Sequence, residues 1–358
     1  MNIKPTLSFS LLAMLLACAS PAQAQSAQPT QNAPTDVTDA PDDHGAYLSA
    51  IFGNGRIHGG NAEGNVWMRG RTFEVRAGRQ QRTLFGSPLP DSLSERIDFV
   101  HYNEGHPDNN HRDGFAVQWL MVRQLGTGSA IELGIGPYLS MNTTVIDGRQ
   151  IDDANVGALV SVGLRLPLNF MPQGTHLRIG YNHVQMRNVH RSDALMIGIG
   201  RQFGRSEADP ETDPADGQTW FGVSGGNSIT NMSGTDAALA AVLEARRYLG
   251  ERMEHWAVSG KFLFEGDDGA RVDRRGAAAQ LFYVQRVTPR FAISAGLGPY
   301  VARNRRDDNI THGNLLITFQ AEHAVSRHAR VFANFNRVKT FRQTDDRDLF
   351  QVGFLKDF

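Results

Sequence analysis

Along most of the chain, apolar and polar residues alternate with a period of two, as in a strand with one face in an oily setting and the other in a polar one. The alternation is cleanest where Ile131, Leu133, Ile135, Pro137, Leu139 and Met141 occupy the odd positions and Glu132, Gly134, Gly136, Tyr138 and Ser140 the even ones. The same split sets Phe115, Val117, Trp119 and Met121 against Ala116 and Gln118. It recurs with Val156, Ala158, Val160, Val162, Leu164 and Leu166 against Gly157, Ser161 and Arg165. Counted this way, the pattern predicts eight strands near 46–57, 65–79, 95–105, 112–125, 129–143, 155–169, 175–186 and 192–203. Eight more follow near 218–229, 237–249, 255–265, 274–288, 290–303, 313–325, 328–341 and 346–358.

The two sets of eight match each other. Gly114-Phe115-Ala116-Val117-Gln118 aligns with Gly276-Ala277-Ala278-Ala279-Gln280, and Gly134-Ile135-Gly136-Pro137-Tyr138 with Gly296-Leu297-Gly298-Pro299-Tyr300, at the same offset of 162. Phe73-Glu74-Val75-Arg76 matches Leu243-Glu244-Ala245-Arg246, Glu104-Gly105 matches Glu265-Gly266, and Asn182-His183-Val184 matches Asn336-Arg337-Val338. An internal duplication explains this. It also decides one ambiguous segment: residues 236–249 have helix-forming composition, but their match to the strand around Glu74 predicts a strand.

Composition then places the strands. Residues 1–24 read as a signal peptide, with Lys4 in the n-region, an apolar stretch from Leu11 to Ala17 and an Ala22-Gln23-Ala24 cleavage pattern. Leu15-Leu16-Ala17-Cys18 is the alternative, a lipobox. Cys18 is the only cysteine, so simple cleavage leaves none for disulfides or thiolate metal sites. Residues 25–44 read as a disordered leader and the acidic stretch 204–217 as a periplasmic linker, between repeats at 45–203 and 218–358. A net charge of −1 carries no basic footprint for nucleic acid. An exported chain with alternating strands of roughly 9–11 residues or more fits a membrane-spanning barrel. Alternate connections are tight (126–128, 172–174, 288–290, 326–328) and most intervening ones long, which places both termini in the periplasm.

The chain thus resembles the porin-like outer-membrane β-barrel proteins of Gram-negative bacteria. The expected fold is all-β, one transmembrane antiparallel barrel of sixteen strands from two eight-strand repeats; the alternative is two tandem eight-strand barrels. A single sheet is preferred because closure removes every edge, whereas the linker and a terminal aromatic in each repeat, Phe203 and Phe358, favour the alternative. The resemblance implies that Phe358 is an assembly signal read by the barrel-assembly machinery. The other implied partners are outer-membrane lipids and lipopolysaccharide. Tyr181-Asn182-His183-Val184-Gln185 is similar to the late strand of the lipid A 3-O-deacylase family, whose catalytic His and Ser stand two apart. That similarity implies a catalytic His183, but Gln185 occupies the place of the nucleophile, and Arg337 replaces the histidine in the second repeat.

The polar faces carry the other candidates. Glu74, Arg76, Arg96, Asp98, Glu104, Glu132, Arg165 and Arg178 are expected to point into the lumen, as are Glu244, Arg246, Glu265 and Arg330. In a wide barrel such charges set selectivity; in a narrow one they pair and plug it. His101, His106 and His111 could offer a metal site, although their spacing matches no familiar ligand pattern and a solvated loop is the simpler expectation. No cofactor motif is present. The functional expectation is a passive channel or structural protein of the outer membrane; the alternatives are a lipid A-modifying acyl hydrolase and a surface-binding or export accessory barrel.

Overall fold

A computed structural model describes residues 44–59, 66–81, 83–84, 87–105, 110–126, 128–146, 149–187, 190–204, 217–230, 234–249, 256–341 and 345–357. The signal peptide, Cys18, nearly all of the leader and linker, His106 and Phe358 lie outside them. The first repeat holds β1 (His44–Gly59), β2 (Val66–Gln81), β3 (Thr83–Leu84), β4 (Ser87–Pro88), β5 (Leu93–Gly105), β6 (Asn110–Gln124), β7 (Ala130–Ile146), β8 (Arg149–Pro167), β9 (Thr175–Met186) and β10 (His190–Gln202). The second holds β11 (Thr219–Thr230), β12 (Ala238–Tyr248), β13 (Trp256–Asp267), β14 (Asp273–Thr288), β15 (Phe291–Asn304), β16 (Thr311–Ser326), β17 (Ala329–Lys339) and β18 (Arg347–Asp357). The helix-like segment is strand β12, and its outward and inward residues alternate throughout.

The strands close as two barrels, and the expected single sixteen-strand barrel gives way to the tandem alternative. β1 pairs antiparallel with β10, from Tyr47 opposite Gln202 to Gly59 opposite His190, which closes the first eight strands. β11 pairs with β18, from Trp220 opposite Asp357 to Thr230 opposite Arg347, which closes the second eight. Removing edges therefore does not require one large sheet, because each repeat removes its own. The hairpin of β3 and β4 stands outside both barrels, within the connection from β2 to β5.

Each barrel turns a band of apolar residues outward, while apolar clusters such as Ile51, Val100 and Leu159 in the first barrel and Val242, Leu263 and Leu316 in the second share the interior with polar groups. On β8, outward positions run from Val156 to Leu166, and Val156, Val160 and Val162 are exposed. Ten residues at ~3.3 Å rise and ~40° tilt give a band about 25 Å tall, the height of a bilayer's hydrocarbon. At the end where the second barrel has its tight turns, Gly126, Gly128 and Gly174 of the first take φ of 83°, 83° and 82°. That is the left-handed region in which glycine carries no Cβ penalty. Contrary to the expected alternation of tight and long connections, the first barrel joins β7 to β8 and β9 to β10 by only two and three residues at the other end.

The repeated glycines serve packing inside each barrel. A Cβ on Gly136 would sit 1.9 Å from Val117 O, and one on Gly298 1.8 Å from Ala279 O. Pro137 and Pro299, next in sequence, fall where the β6–β7 and β14–β15 registers skip, so backbones approach closely at the same place in both copies. Gly134 leaves room for Leu120 and Gly296 for Phe282. The space for Tyr138 comes from Gly114 across the strand pair.

The barrels also pack against each other along their outer walls. Phe99 and Phe115 meet Phe319 at ring-centroid distances of 5.1 and 4.9 Å, and Met141 and Ile317 are buried in the same cluster. Near the tight-turn end, Ala46, Leu48 and Phe203 pack against Val287, Phe291 and Ile293. Near the other end, Arg337 Nη1 lies 3.5 Å from Asp113 Oδ2. Like ends thus lie beside like ends, so that one membrane can hold both barrels.

Candidate functional site: the filled lumens and the outward histidine

The candidate lumen charges, all twelve, are inward and buried. In the first barrel they form a ladder. Arg76 donates to Glu74 through Nε at 2.7 Å and Nη2 at 2.8 Å, and to Asp98 through Nη1 at 2.9 Å. Arg96 donates to Asp98 at 2.6 Å and to Glu132 at 2.7 Å, with its guanidinium 3.6 Å from the centre of the Tyr47 ring. Arg178 joins the two ends, donating to Glu74 at 2.6 Å and to Glu132 at 2.9 Å. Arg165 Nε lies 3.4 Å from Glu132. Nearer the long-loop end, Glu104 accepts hydrogen bonds from Tyr138 at 3.1 Å, Ser140 at 3.2 Å and Ser192 at 2.5 Å, with His190 Nε2 at 3.0 Å.

The second barrel repeats the scheme with a smaller central cluster, Glu244, Arg246, Lys261 and Glu322. Arg246 donates to Glu244 at 2.8 Å, to Glu322 at 2.6 Å and to Gln320 at 3.1 Å, and Lys261 Nζ stands 3.8 Å from Glu244. Arg274 clamps Glu265 with two bonds of 2.7 Å, and Tyr300 donates to the same carboxylate at 2.7 Å. Arg330 lies over the buried Trp220 ring, 5.2 Å from its centre. Buried charges are tolerable only when partnered in this way.

Between these levels is a polar hub that charge-spotting along the sequence missed. Gln118 Nε2 donates to Leu159 O at 2.9 Å and to Ser161 Oγ at 3.0 Å, and Ser161 donates to Asn182 at 2.7 Å. Gln280 Nε2 donates to Leu316 O at 3.0 Å and to Thr318 Oγ1 at 3.0 Å, and Thr318 donates to Asn336 at 2.6 Å. The signal was present in the repeat itself, since Gln118 and Gln280 share the offset of 162 and Asn182 aligns with Asn336.

On the outer wall, His183 Nδ1 lies 2.8 Å from Asp193 Oδ1, to which Tyr181 also donates, and His58 Nε2 lies 3.5 Å from Asp193 Oδ2. Gln185 donates to Met186 O. His183 faces Asp193 across the β9–β10 ladder as Arg337 faces Asp348 across β17–β18, where the ion pair measures 3.3 Å. The repeat therefore keeps a basic residue opposite a carboxylate at this position, and not a histidine. His101 also points outward, stacked on Phe115 at 4.8 Å with Nε2 4.0 Å from Asp113, beside the seam. The side chain of His111 lies outside the described residues. Among the described residues, no three His, Cys, Asp or Glu groups converge as a metal site.

No family model matches the chain, and no curated protein matches it. Solved structures similar to it include Neisserial surface protein A, at 17% identity over 45% of this chain and 99% of that one, with a TM-score of 0.33. An outer membrane channel from Pseudomonas putida F1 is 12% identical over 92% of this chain and 100% of its own, with a TM-score of 0.21. A loop-deletion mutant of OmpT, an outer membrane protein of Vibrio cholerae, is 9% identical over 87% of this chain and 99% of its own, with a TM-score of 0.19. The strand pairings of the chain itself carry the architectural conclusion. With an apolar outer band and an interior filled by paired charges, polar groups and buried apolar side chains in each of two closed barrels, the chain has the architecture of an outer-membrane β-barrel protein in duplicate.

Proposed function

We propose that this protein is a structural twin barrel of the bacterial outer membrane, with termini on the periplasmic side and no open pore. The ladder from Glu74 to Glu132 carries this reading: Arg76, Arg96, Arg178, Glu74 and Asp98 are all 0% exposed, so their charges meet one another and not a column of water. Small eight-strand barrels have interiors just wide enough for side chains to fill. Of the two halves of the sequence expectation, the structural protein is thus favoured over the passive channel. An acyl hydrolase is not favoured, because Gln185 supplies no nucleophile and the second repeat keeps the same cross-strand pair as Arg337 and Asp348.

The test is conductance of the full-length protein in planar bilayers. A silent bilayer under conditions in which a control porin conducts is expected, and steady open-channel current that scales with added protein would overturn the reading.

A further inference from the structure

The apolar band on β9, β10 and the middle of β1 ends at Phe52, Tyr181 and Leu195. Beyond that line, toward the long-loop end, the outward positions become basic. They are Arg56 and His58 on β1, Arg191 on β10, His183 on β9 and Arg187 just past it, on the strand ends beside Asp193, whose carboxylate His183 and His58 approach at 2.8 and 3.5 Å. Arg187 and Arg191 are exposed, and the His183 and Asp193 side chains are each about one-third exposed. Among the described residues, three arginines against one carboxylate leave a net positive patch where hydrocarbon gives way to headgroups.

The second repeat shows what this position can hold. There the equivalent pair is Arg337 with Asp348; Arg337 is buried in the seam and also reaches an anion of the other barrel, the Asp113 carboxylate at 3.5 Å. In the first barrel the His183 and Asp193 side chains keep about a third of their surface exposed, and the described basic residues around them are more numerous. Arg56 stands opposite Asp193 where the second barrel has Ile229 opposite Asp348.

We propose that this patch binds the phosphorylated headgroup of an outer-leaflet glycolipid. The arginines would receive phosphate oxygens through charge-assisted hydrogen bonds, and Tyr181 and Leu195 would lie against the first acyl carbons. The inference rests on the outer-membrane placement proposed above and goes beyond it by naming a lipid class and the wall that takes it.

The experiment is native mass spectrometry of the full-length protein released from detergent, titrated with bisphosphorylated lipid A and with the same lipid after removal of its phosphates. Wild type is expected to prefer the phosphorylated form by roughly 30- to 150-fold, the scale of two or three basic residues acting on an anionic headgroup. Arg187→Gln with Arg191→Gln, at exposed positions, is expected to lose most of that preference, whereas Arg305→Gln on the second barrel keeps it. An undiminished preference in the double variant overturns the proposal. So does occupancy by inorganic phosphate at equal concentration with no preference for the lipid, which would make the site one for free anions. Heat-shifted electrophoretic mobility and membrane fractionation are measured on the same variants. A protein absent from the outer membrane defeats the placement; a correctly placed barrel without lipid preference defeats this inference alone.

Discussion

Glu74→Gln tests whether the first lumen is a dry plug or a wet channel. In the wild type the ladder sets four guanidinium groups (Arg76, Arg96, Arg165, Arg178) against three carboxylates (Glu74, Asp98, Glu132), a net charge of +1. The substitution raises this to +2 and replaces one of the two oxygens that accept bonds at 2.7 and 2.8 Å from Arg76 and 2.6 Å from Arg178 with an NH2 donor facing the guanidinium groups. Uncompensating buried charge costs about 3–5 kcal/mol, whereas an ion pair in contact with water is worth ~0–1 kcal/mol. Urea unfolding of the full-length protein in lipid vesicles, followed by tryptophan emission and by gel mobility, separates these ranges. A loss in the upper range is expected. Glu74→Leu combined with Arg178→Leu restores the net charge and is expected to be less destabilised than the sum of the single changes. A Glu74→Gln protein within about 1 kcal/mol of wild type, with additive double-variant effects, would refute the filled-lumen argument.

Other outcomes follow from the same structure. In a Cys18→Ser background, Phe99→Cys with Phe319→Cys is expected to join through a short bifunctional thiol reagent in intact membranes, because the native rings stand 5.1 Å apart; Ile97→Cys with Phe354→Cys is the unreactive control. Gly136→Ala and Gly298→Ala should each destabilise by about 1–3 kcal/mol, since their Cβ atoms would meet backbone oxygens at 1.9 and 1.8 Å, and equal melting of either variant and wild type would contradict this. Burial pushes the Asp268 carboxyl up, but hydrogen bonds from Thr230 and the backbone N–H groups of Val272, Arg271 and Ala270 outweigh it and hold the group below its ordinary value. Its contribution to order in the β13–β14 loop is therefore complete above the ordinary carboxylate range and disappears as pH falls through the lowered value. Protease cleavage in that loop should rise on acidification and be already high in Asp268→Asn at neutral pH.

The strands were legible because each is specified locally, by alternation that survives even in the alanine-rich segment that became β12. The lumen charges were legible for the same reason, since parity alone decides which wall of a strand a side chain leaves from. Closure was not, because it depends on β1 finding β10 and β11 finding β18, edges far apart in sequence with no shared local pattern. The linker and Phe203 were the signals that pointed the right way. The seam was hidden for another reason. Phe99, Phe115, Phe319 and Phe335 have the parity of lipid-facing residues, and oil and a second barrel demand the same apolar surface. Only the outward charges Asp113 and Arg337, which suit a protein neighbour better than hydrocarbon, distinguished it. The partner of His183 was likewise out of reach, because Asp193 lies on the next strand and its register is set by the whole hairpin.

Electron cryomicroscopy of the full-length protein in lipid nanodiscs tests the central claim most directly. Two adjacent rings of eight strands, each with its interior filled by side-chain density, are the expected result. A single ring of sixteen strands around a water-filled channel would contradict it.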